Sequence, residues 1–406
     1  MGRVVIVGAG PTGLALALLL ARGGIAVTVV ESRPAASGLF RGEALMASGL
    51  EALEALQLLP LGNRIRHRCL EGWSFWLNRQ PLFSVDEPLG QGHACTLVDP
   101  DALVAELGAE LEHHADSRLL LGRSVAAPLW RGERIGGVQL ADGSALKADL
   151  VVACDGRGSG LRRAAALPLA TEQRPIDVLW FRLPAPASEA LRARLQGRFH
   201  TVLGEEGSLG LYGSASGGVQ LGWPLQPGGE AARDGALWRA RWQRLCPSPL
   251  AEALEALPPT SIEGPLRLPV RVGLAESWWR PGLLLLGDAA HPMSPVRAQG
   301  TSMGLRDALV AARQLLPALR HAPGPAGDGA LDEALAAIER RRRPEILRMQ
   351  ELQRREWQRG ERLAHSAALR QLLGVLAPAM GPLLGEIWRR GQRELHRGLE
   401  GALTLP

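Results

Sequence analysis

Three features of the sequence predict an α/β chain: a doubly wound nucleotide-binding domain, an inserted and mainly antiparallel sheet, and a helical C-terminus. The opening segment VVIVGAGPTGLALALLLARGGIAVTVVES reads strand, tight turn, helix, strand. Between about 171 and 272 the character changes, and short apolar runs alternate with Gly, Ser and Pro. At 283–286 the run LLLL returns as a buried strand, followed by GDAAH and a helical pattern. Nucleotide-type segments early, midway and late imply a discontinuous domain closing around the inserted sheet. The expected division is 1–70, 96–170 and 273–330 for that domain, 71–95 and 171–272 for the sheet, and 331–406 for a C-terminal helical region.

Taken in order, Arg3 to Val7 is a short β-branched strand, Gly8 to Gly13 the turn and Leu14 to Arg22 an Ala/Leu-rich helix. A second strand runs from Ala26 to Val30 and ends at Glu31. Helical patterns follow at about 42–58 and 101–112, and the alternation from Trp73 to Ser84 predicts one strand. Asp142-Gly143 between two strand-like runs predicts a hairpin. VLWFRLP, HTVLG, SLGLYGS and GVQLGWPL are the expected strands of the inserted sheet. A helix at about 300–316, a Pro/Gly loop at 322–329, a long Arg-rich helix and a helical tail complete the chain. No internal repeat is present.

At 406 residues the chain is long enough for two or three packed units. It has no uninterrupted apolar run of about 18 residues and no cationic leader at its start, so a cytoplasmic protein without a transmembrane segment is expected. Cys69, Cys95, Cys154 and Cys246 lack CxxC or metal-ligand spacing and read as reduced, buried thiols. The net charge is +5, and Lys147 is the only lysine. In ERRRRPEILRMQELQRREW the arginines interleave with glutamates, the pattern of a solvated helix face rather than a nucleic-acid site. The apolar stretch LLGVLAPAMGPLLG is broken by Pro378 and Pro382 and is expected to dock on the body.

Gly8, Gly10 and Gly13 form G-x-G-x-x-G between a strand and a helix. Gly8 permits the turn, Gly10 lets a pyrophosphate approach the backbone, and Gly13 lets helix and sheet pack closely. The helix start offers unpaired N–H groups to phosphate. Glu31 is placed to accept both hydroxyls of an adenosine ribose, which suits FAD or NAD rather than NADP.

Two further motifs decide between those occupants. LLLLGDAAHPMSPVRAQGTSMGLRDAL carries Asp288 after Gly287, and LVVACDGRGSGLRR carries Asp155, Gly156, Ser159 and Arg162. With the opening fingerprint they resemble, in order and spacing, the single-component flavoprotein monooxygenases of the p-hydroxybenzoate hydroxylase type. The resemblance implies a glutathione-reductase-type FAD-binding fold, with NADH or NADPH as a transient electron donor. It implies hydroxylation of an aromatic or conjugated small molecule by O2 through a flavin C4a-hydroperoxide. It places Gly8, Gly10, Pro11, Thr12, Gly13, Glu31, Ser32, Arg33 and Arg41 at the ADP half of FAD. Gly287 and Asp288 go to its ribityl or pyrophosphate region, with Asp155 and Arg162 structural or on the coenzyme side. Pro295 and Gly300 are the catalytic positions. Pro295 would lie beside the isoalloxazine, and Ala298, Gln299, Gly300, Thr301 and Ser302 would lead into a helix start facing flavin N1 and O2.

The chain departs from the family's P-x-x-G-x-G-x-N, because Ala298 stands for a glycine and Ser302 for an asparagine. His291 is expected to shape its turn. Trp180, Arg182, Tyr212 and Trp223 are the candidate substrate residues, with His200 a similar guess. Tyr212 is the sole tyrosine, so no paired phenol relay exists and any substrate deprotonation needs another group. A reductase or dehydrogenase on the same fold is the main rival reading. The sequence leaves substrate and oligomeric state, monomer or homodimer, open.

Overall fold

The computed structural model describes residues 2–34, 42–172, 176–225, 229, 231–320 and 325–399. The opening segment forms strand Arg3–Val7, helix Pro11–Arg22 and strand Ala26–Val30, with the two strands parallel and Val4 opposite Val27. Pro11 suits the first helical turn, where its missing N–H has no partner to lose. Gly13 to Ala21 are buried without a break, because helices Pro100–Glu112 and Gln299–Arg320 pack against the same helix.

A six-stranded sheet runs in the order Trp279–Arg280, Leu283–Leu285, Leu150–Ala153, Arg3–Val7, Ala26–Val30, Ser117–Leu120. All neighbours are parallel except the first pair. Three strands distant in sequence therefore end side by side, and each runs into one of the glycine-bearing turns. Gly8 has φ +106°, and a Cβ there would strike the Cys154 carbonyl. The turns are in contact, so only glycine fits.

The second sheet has seven strands in the order Glu263–Val270, Ile176–Leu183, Val219–Leu225, Gly207–Gly213, Arg198–Gly204, Gly72–Leu77, Gln80–Asp86. Its pairs are antiparallel except Arg198–Gly204 with Gly72–Leu77. The expected single strand over 73–84 is thus a hairpin. Asn78 and Arg79 both have positive φ, at 48° and 68°, which is the backbone of a two-residue hairpin turn without the usual glycine. The helix expected over 42–58 is shorter, Ala47–Ala55, and strand Ala44–Leu45 precedes it. Helix is already formed at Pro325, so part of the loop expected at 322–329 is helical, and 321–324 lie outside the described residues. Cys69 is exposed rather than buried, on a short strand next to Thr96.

The C-terminal helices Pro325–His365 and Ala367–Gly391 pass through three prolines without ending. The second is long and apolar enough to cross a membrane, which the interrupted sequence pattern did not suggest. It packs along strand Gln80–Asp86, with Ala377 buried and Gly381 close to the Leu82 carbonyl. Leu372, Val375, Leu383 and Ile387 remain exposed on its outer side.

A buried ionic cluster joins helix Pro325–His365 to helix Gln299–Arg320 and to the turn that follows strand Leu283–Leu285. Asp307 is fully buried and accepts hydrogen bonds from Arg342 Nε at 2.7 Å and the Gly287 N–H at 3.1 Å. It also shares one with His291 Nε2 at 2.6 Å. Glu345 pairs with Arg306 at 2.9 Å and with Arg342, and accepts the Leu399 N–H at 2.9 Å. Burial alone would push the Asp307 carboxyl up, but His291 and Arg342 outweigh it and hold it below its ordinary value. The stability this gives is present above about pH 4 and is lost as pH falls through the lowered folded value. Asp307→Asn should therefore cost about 3–5 kcal/mol at pH 7 by leaving Arg342 short of a partner. The deficit against the wild type should shrink below about pH 4, as measured by urea unfolding at a series of pH values.

Candidate active site: a flavin cleft continuous with an aromatic chamber

The glycine-bearing turns open onto one cleft of about 2550 Å³ that runs from the six-stranded sheet to the seven-stranded one. At the nucleotide end it is lined by Gly8, Gly10, Pro11, Thr12, Glu31, Ser32 and Arg33. Gly10 precedes the helix, no side chain caps that helix, and its first turn has no acidic residue. Its leading N–H groups are thus available to an anion. A Cβ built on Gly10 meets nothing within 4 Å, so the space beside the backbone is open. Gly13 does not line the cleft; a Cβ there would collide with the Gly8 carbonyl oxygen.

Glu31 Oε2 accepts the Ala9 N–H at 2.9 Å, and Oε1 accepts from the Arg33 N–H and Nε, each at 3.1 Å. Burial opposes ionisation of Glu31, yet these donors win and hold its carboxyl below the ordinary value. The acid is charged and fixed at the strand end, as ribose recognition requires. Arg41 lies outside the described residues.

At the middle of the cleft are Asp155, Gly287 and Asp288. Asp155 Oδ2 accepts the Gly160 and Leu161 N–H groups, whereas Oδ1 is buried without a protein partner. Arg157 Nε donates to Asp288 at 3.0 Å, and Arg162 donates to the Ala289 carbonyl at 2.7 Å, so the two turns are tied together. Trp278 packs tilted against His291 with centroids 4.9 Å apart, which fits a turn-shaping histidine.

Pro295, Ala298, Gly300 and Thr301 line the next stretch; Gln299 and Ser302 do not. Both are fully buried facing away from it. Gln299 Nε2 donates to the Leu395 carbonyl at 2.6 Å, and Ser302 Oγ accepts the Met46 N–H at 3.2 Å. Their side chains brace the loop from behind.

The loop's own conformation is unusual. Arg297 and Ala298 have φ of 57° and 45°, two successive non-glycine residues in the left-handed region. Such residues cost on the order of 1 kcal/mol each or more. The Arg297 guanidinium lies 4.5 Å from the Trp388 ring centroid, 4.8 Å from that of Trp73 and 5.5 Å from that of Phe75. It also pairs with Glu356 at 2.6 Å, and Trp388 Nε1 donates to the same oxygen at 3.0 Å. Gln353 Nε2 donates to the Ser294 carbonyl at 2.8 Å. The cage and the C-terminal helices hold the strained turn closed.

The far end is an aromatic chamber with Trp73, Phe75, Trp180, Phe199, Tyr212, Trp223 and Trp388 in its wall. Of the expected substrate residues, Arg182 is not there. It is exposed and paired with Glu263 at 2.8 Å; it keeps the alternation with Trp180, the pairing to Val219–Leu225 running unshifted from Asp177 to Leu183, but it sits one repeat further along the strand and does not line the chamber. His200 is a satisfied core residue between Trp76 Nε1 and the Leu195 carbonyl. The sequence reading missed Glu43, Arg157, Arg297, Glu356 and Trp388, all of which line the cleft. Only Arg297 had a local signal, a large side chain inside a glycine-type loop.

An uncapped helix start, an ionised acid at the neighbouring strand end and acidic turns on the helix start's other side fit a dinucleotide cofactor such as FAD, and the open space at Gly10 fits its pyrophosphate. Residues 1–66 and 132–348 match the family described as FAD binding domain. Over 361 residues the chain is 35% identical to 6-methylpretetramide 4-monooxygenase of Streptomyces rimosus, covering 86% of this chain and 82% of the relative. It is 28% identical to 3-demethoxyubiquinol 3-hydroxylase of Escherichia coli, covering 75% and 77%. Among solved structures, p-nitrophenol 4-monooxygenase of Pseudomonas putida shares the fold with a TM-score of 0.75 at 19% identity, over 98% of each chain. PqsL of Pseudomonas aeruginosa, solved with 2-aminobenzoylacetate, does so with a TM-score of 0.75 at 24% identity, over 92% of this chain and 99% of that one. The chain belongs to this FAD-binding family and is a flavin-dependent monooxygenase of the p-hydroxybenzoate hydroxylase-like group.

Gly10→Ala should leave the stability of the FAD-free chain within about 0.5 kcal/mol and weaken FAD binding at least about tenfold, as read by flavin fluorescence. Gly13→Ala should instead destabilise the fold itself. Arg297→Ala should lower stability by about 3 kcal/mol and loosen FAD, and Arg297→Lys should recover part of both losses. Thermal melts and FAD titrations check the series.

Proposed function

We propose that this chain takes electrons from NADH or NADPH and inserts one atom of O2 into an aromatic small molecule held in the chamber. The carrying observation is the continuity of the cleft, from the ionised ribose-side acid Glu31 to a wall of aromatic rings beyond Pro295. Bound FAD supplies the hydride acceptance and the oxygen activation.

The protein's own share is binding, orientation and exclusion of water. Gly10, Glu31 and Arg33 would hold the ADP half of FAD, and Asp288 and the backbone of Ala298 to Thr301 its ribityl and ring end. Helix Gln299–Arg320 starts at that end, and its positive dipole favours negative charge on the reduced ring. Trp180, Phe199 and Tyr212 offer flat faces to a planar substrate, with Phe199 and Tyr212 stacked at 5.4 Å. Burial, and the Glu43 carboxylate beside it, push the Tyr212 phenol well above its ordinary value, so it stays protonated and acts as wall. Aromatic acceptors in the names of relatives, among them 6-hydroxynicotinate 3-monooxygenase, support the same substrate class.

Incubation of the FAD-loaded chain with NADH or NADPH, aromatic ligands and ¹⁸O-labelled O2 tests the reading. Stoichiometric label in a hydroxylated product, with ligand-stimulated coenzyme oxidation, is the expected result. Ligand-linked turnover with no label in product would favour the reductase reading instead.

A further inference from the structure

On the monooxygenase reading, the chamber must also take up the polar end of its substrate. Glu43 is buried in the chamber wall, at the junction between strand Ala44–Leu45 and the seven-stranded sheet. Oε1 accepts Ser214 Oγ at 2.6 Å and Gln220 Nε2, and Oε2 accepts the Ala215 N–H at 2.8 Å. No cation pairs with it among the described residues, which is a costly way to bury an acid.

The surroundings narrow its role. Because Gln220 Nε2 is committed to Glu43, the amide oxygen faces Trp180 Nε1 at 2.6 Å and the Tyr212 hydroxyl at 3.3 Å. The polar atoms of that wall are thereby engaged with one another. A carboxylate has about four acceptor positions, and three are used, so Glu43 keeps one on Oε2. Arg297, the cation deepest in the aromatic wall, is already paired with Glu356 and caged by rings. The chamber thus sets a buried acceptor against the substrate, and the negative charge of Glu43 opposes an anion at that wall.

We infer that Glu43 is a catalytic and specificity-determining residue: it accepts the O–H of a neutral, phenol-type substrate and disfavours carboxylate-bearing aromatics. In the reaction the substrate O–H bond breaks, its electron pair stays on oxygen, and the proton adds to Glu43 Oε2. The phenolate oxygen enriches the ring in electrons where oxygen is to be added, and Glu43 returns its proton to the product oxygen. Burial raises the carboxyl's proton affinity against the pull of Ser214 and Ala215, which favours this exchange.

The test compares 2-naphthol with 2-naphthoate as ligands of the FAD-loaded wild type, Glu43→Gln and Ser214→Ala. Wild type should bind the naphthol at least about tenfold more tightly than the naphthoate. Glu43→Gln should bring the two affinities within about threefold, while Ser214→Ala, which loosens the same junction but keeps the acid, should retain the preference. Equal wild-type affinities would overturn the inference even if Glu43→Gln fails to fold. So would an unchanged preference in Glu43→Gln, or its equal loss in Ser214→Ala. These readouts are binding ratios, so failure of oxygen insertion in the labelling experiment would be seen separately.

Discussion

Asp307 lies fully buried between His291 and Arg342, and the turn that presents Asp288 to the cleft is built on that arrangement. One carboxylate oxygen takes both the Gly287 N–H and the imidazole, while the other takes a guanidinium from the long C-terminal helix. Buried charges repay their desolvation only with such geometry. Because Arg342 also pairs with Glu345, which meets Arg306 and the Leu399 N–H, four segments must be in place together. The turn that carries Asp288 is therefore positioned by helix Pro325–His365 as much as by the sheet from which it emerges.

The same dependence recurs at the Pro295–Ala298 loop. A glycine there would take the left-handed conformation at little cost, but this chain places Arg297 and Ala298 in it. Trp73, Phe75 and Trp388 around the guanidinium, with Glu356 as counter-ion, over-determine a turn that would otherwise relax. Trp73 and Phe75 come from the antiparallel sheet and Trp388 and Glu356 from the C-terminal helices. One arginine thus links the flavin loop to both structures that wall the aromatic chamber.

What was legible in the sequence follows this division between local and long-range interactions. Gly8, Gly10, Gly13 and Glu31 could be read because a turn, a helix start and a strand end impose residue types at fixed spacing. The alternating runs after residue 171 showed an antiparallel sheet for the same reason, since period two is local. The hairpin at Asn78-Arg79 was hidden because Arg79 stands where such a turn usually has glycine, which left Asn78 alone to signal it. Arg182 was misplaced because alternation gives the face of a strand and not how far along it the chamber reaches. Glu43, Glu356 and Trp388 meet the cleft only through packing of segments far apart in sequence, and no spacing rule reaches them. Ser302, where the family has asparagine, braces Met46 from behind the loop, which the motif alone did not suggest.

We propose that one cleft holds a whole FAD, with the adenosine end read by Glu31 and the ring end set against the Pro295–Ala298 loop. Equilibrium titration of the flavin-free chain with FAD and, separately, with FMN tests it most directly, by flavin fluorescence. The account predicts saturation at one FAD per chain and at least about a hundredfold weaker binding of FMN, which lacks the adenosine half. Equal affinity for the two flavins, or no saturable binding of FAD, would contradict it.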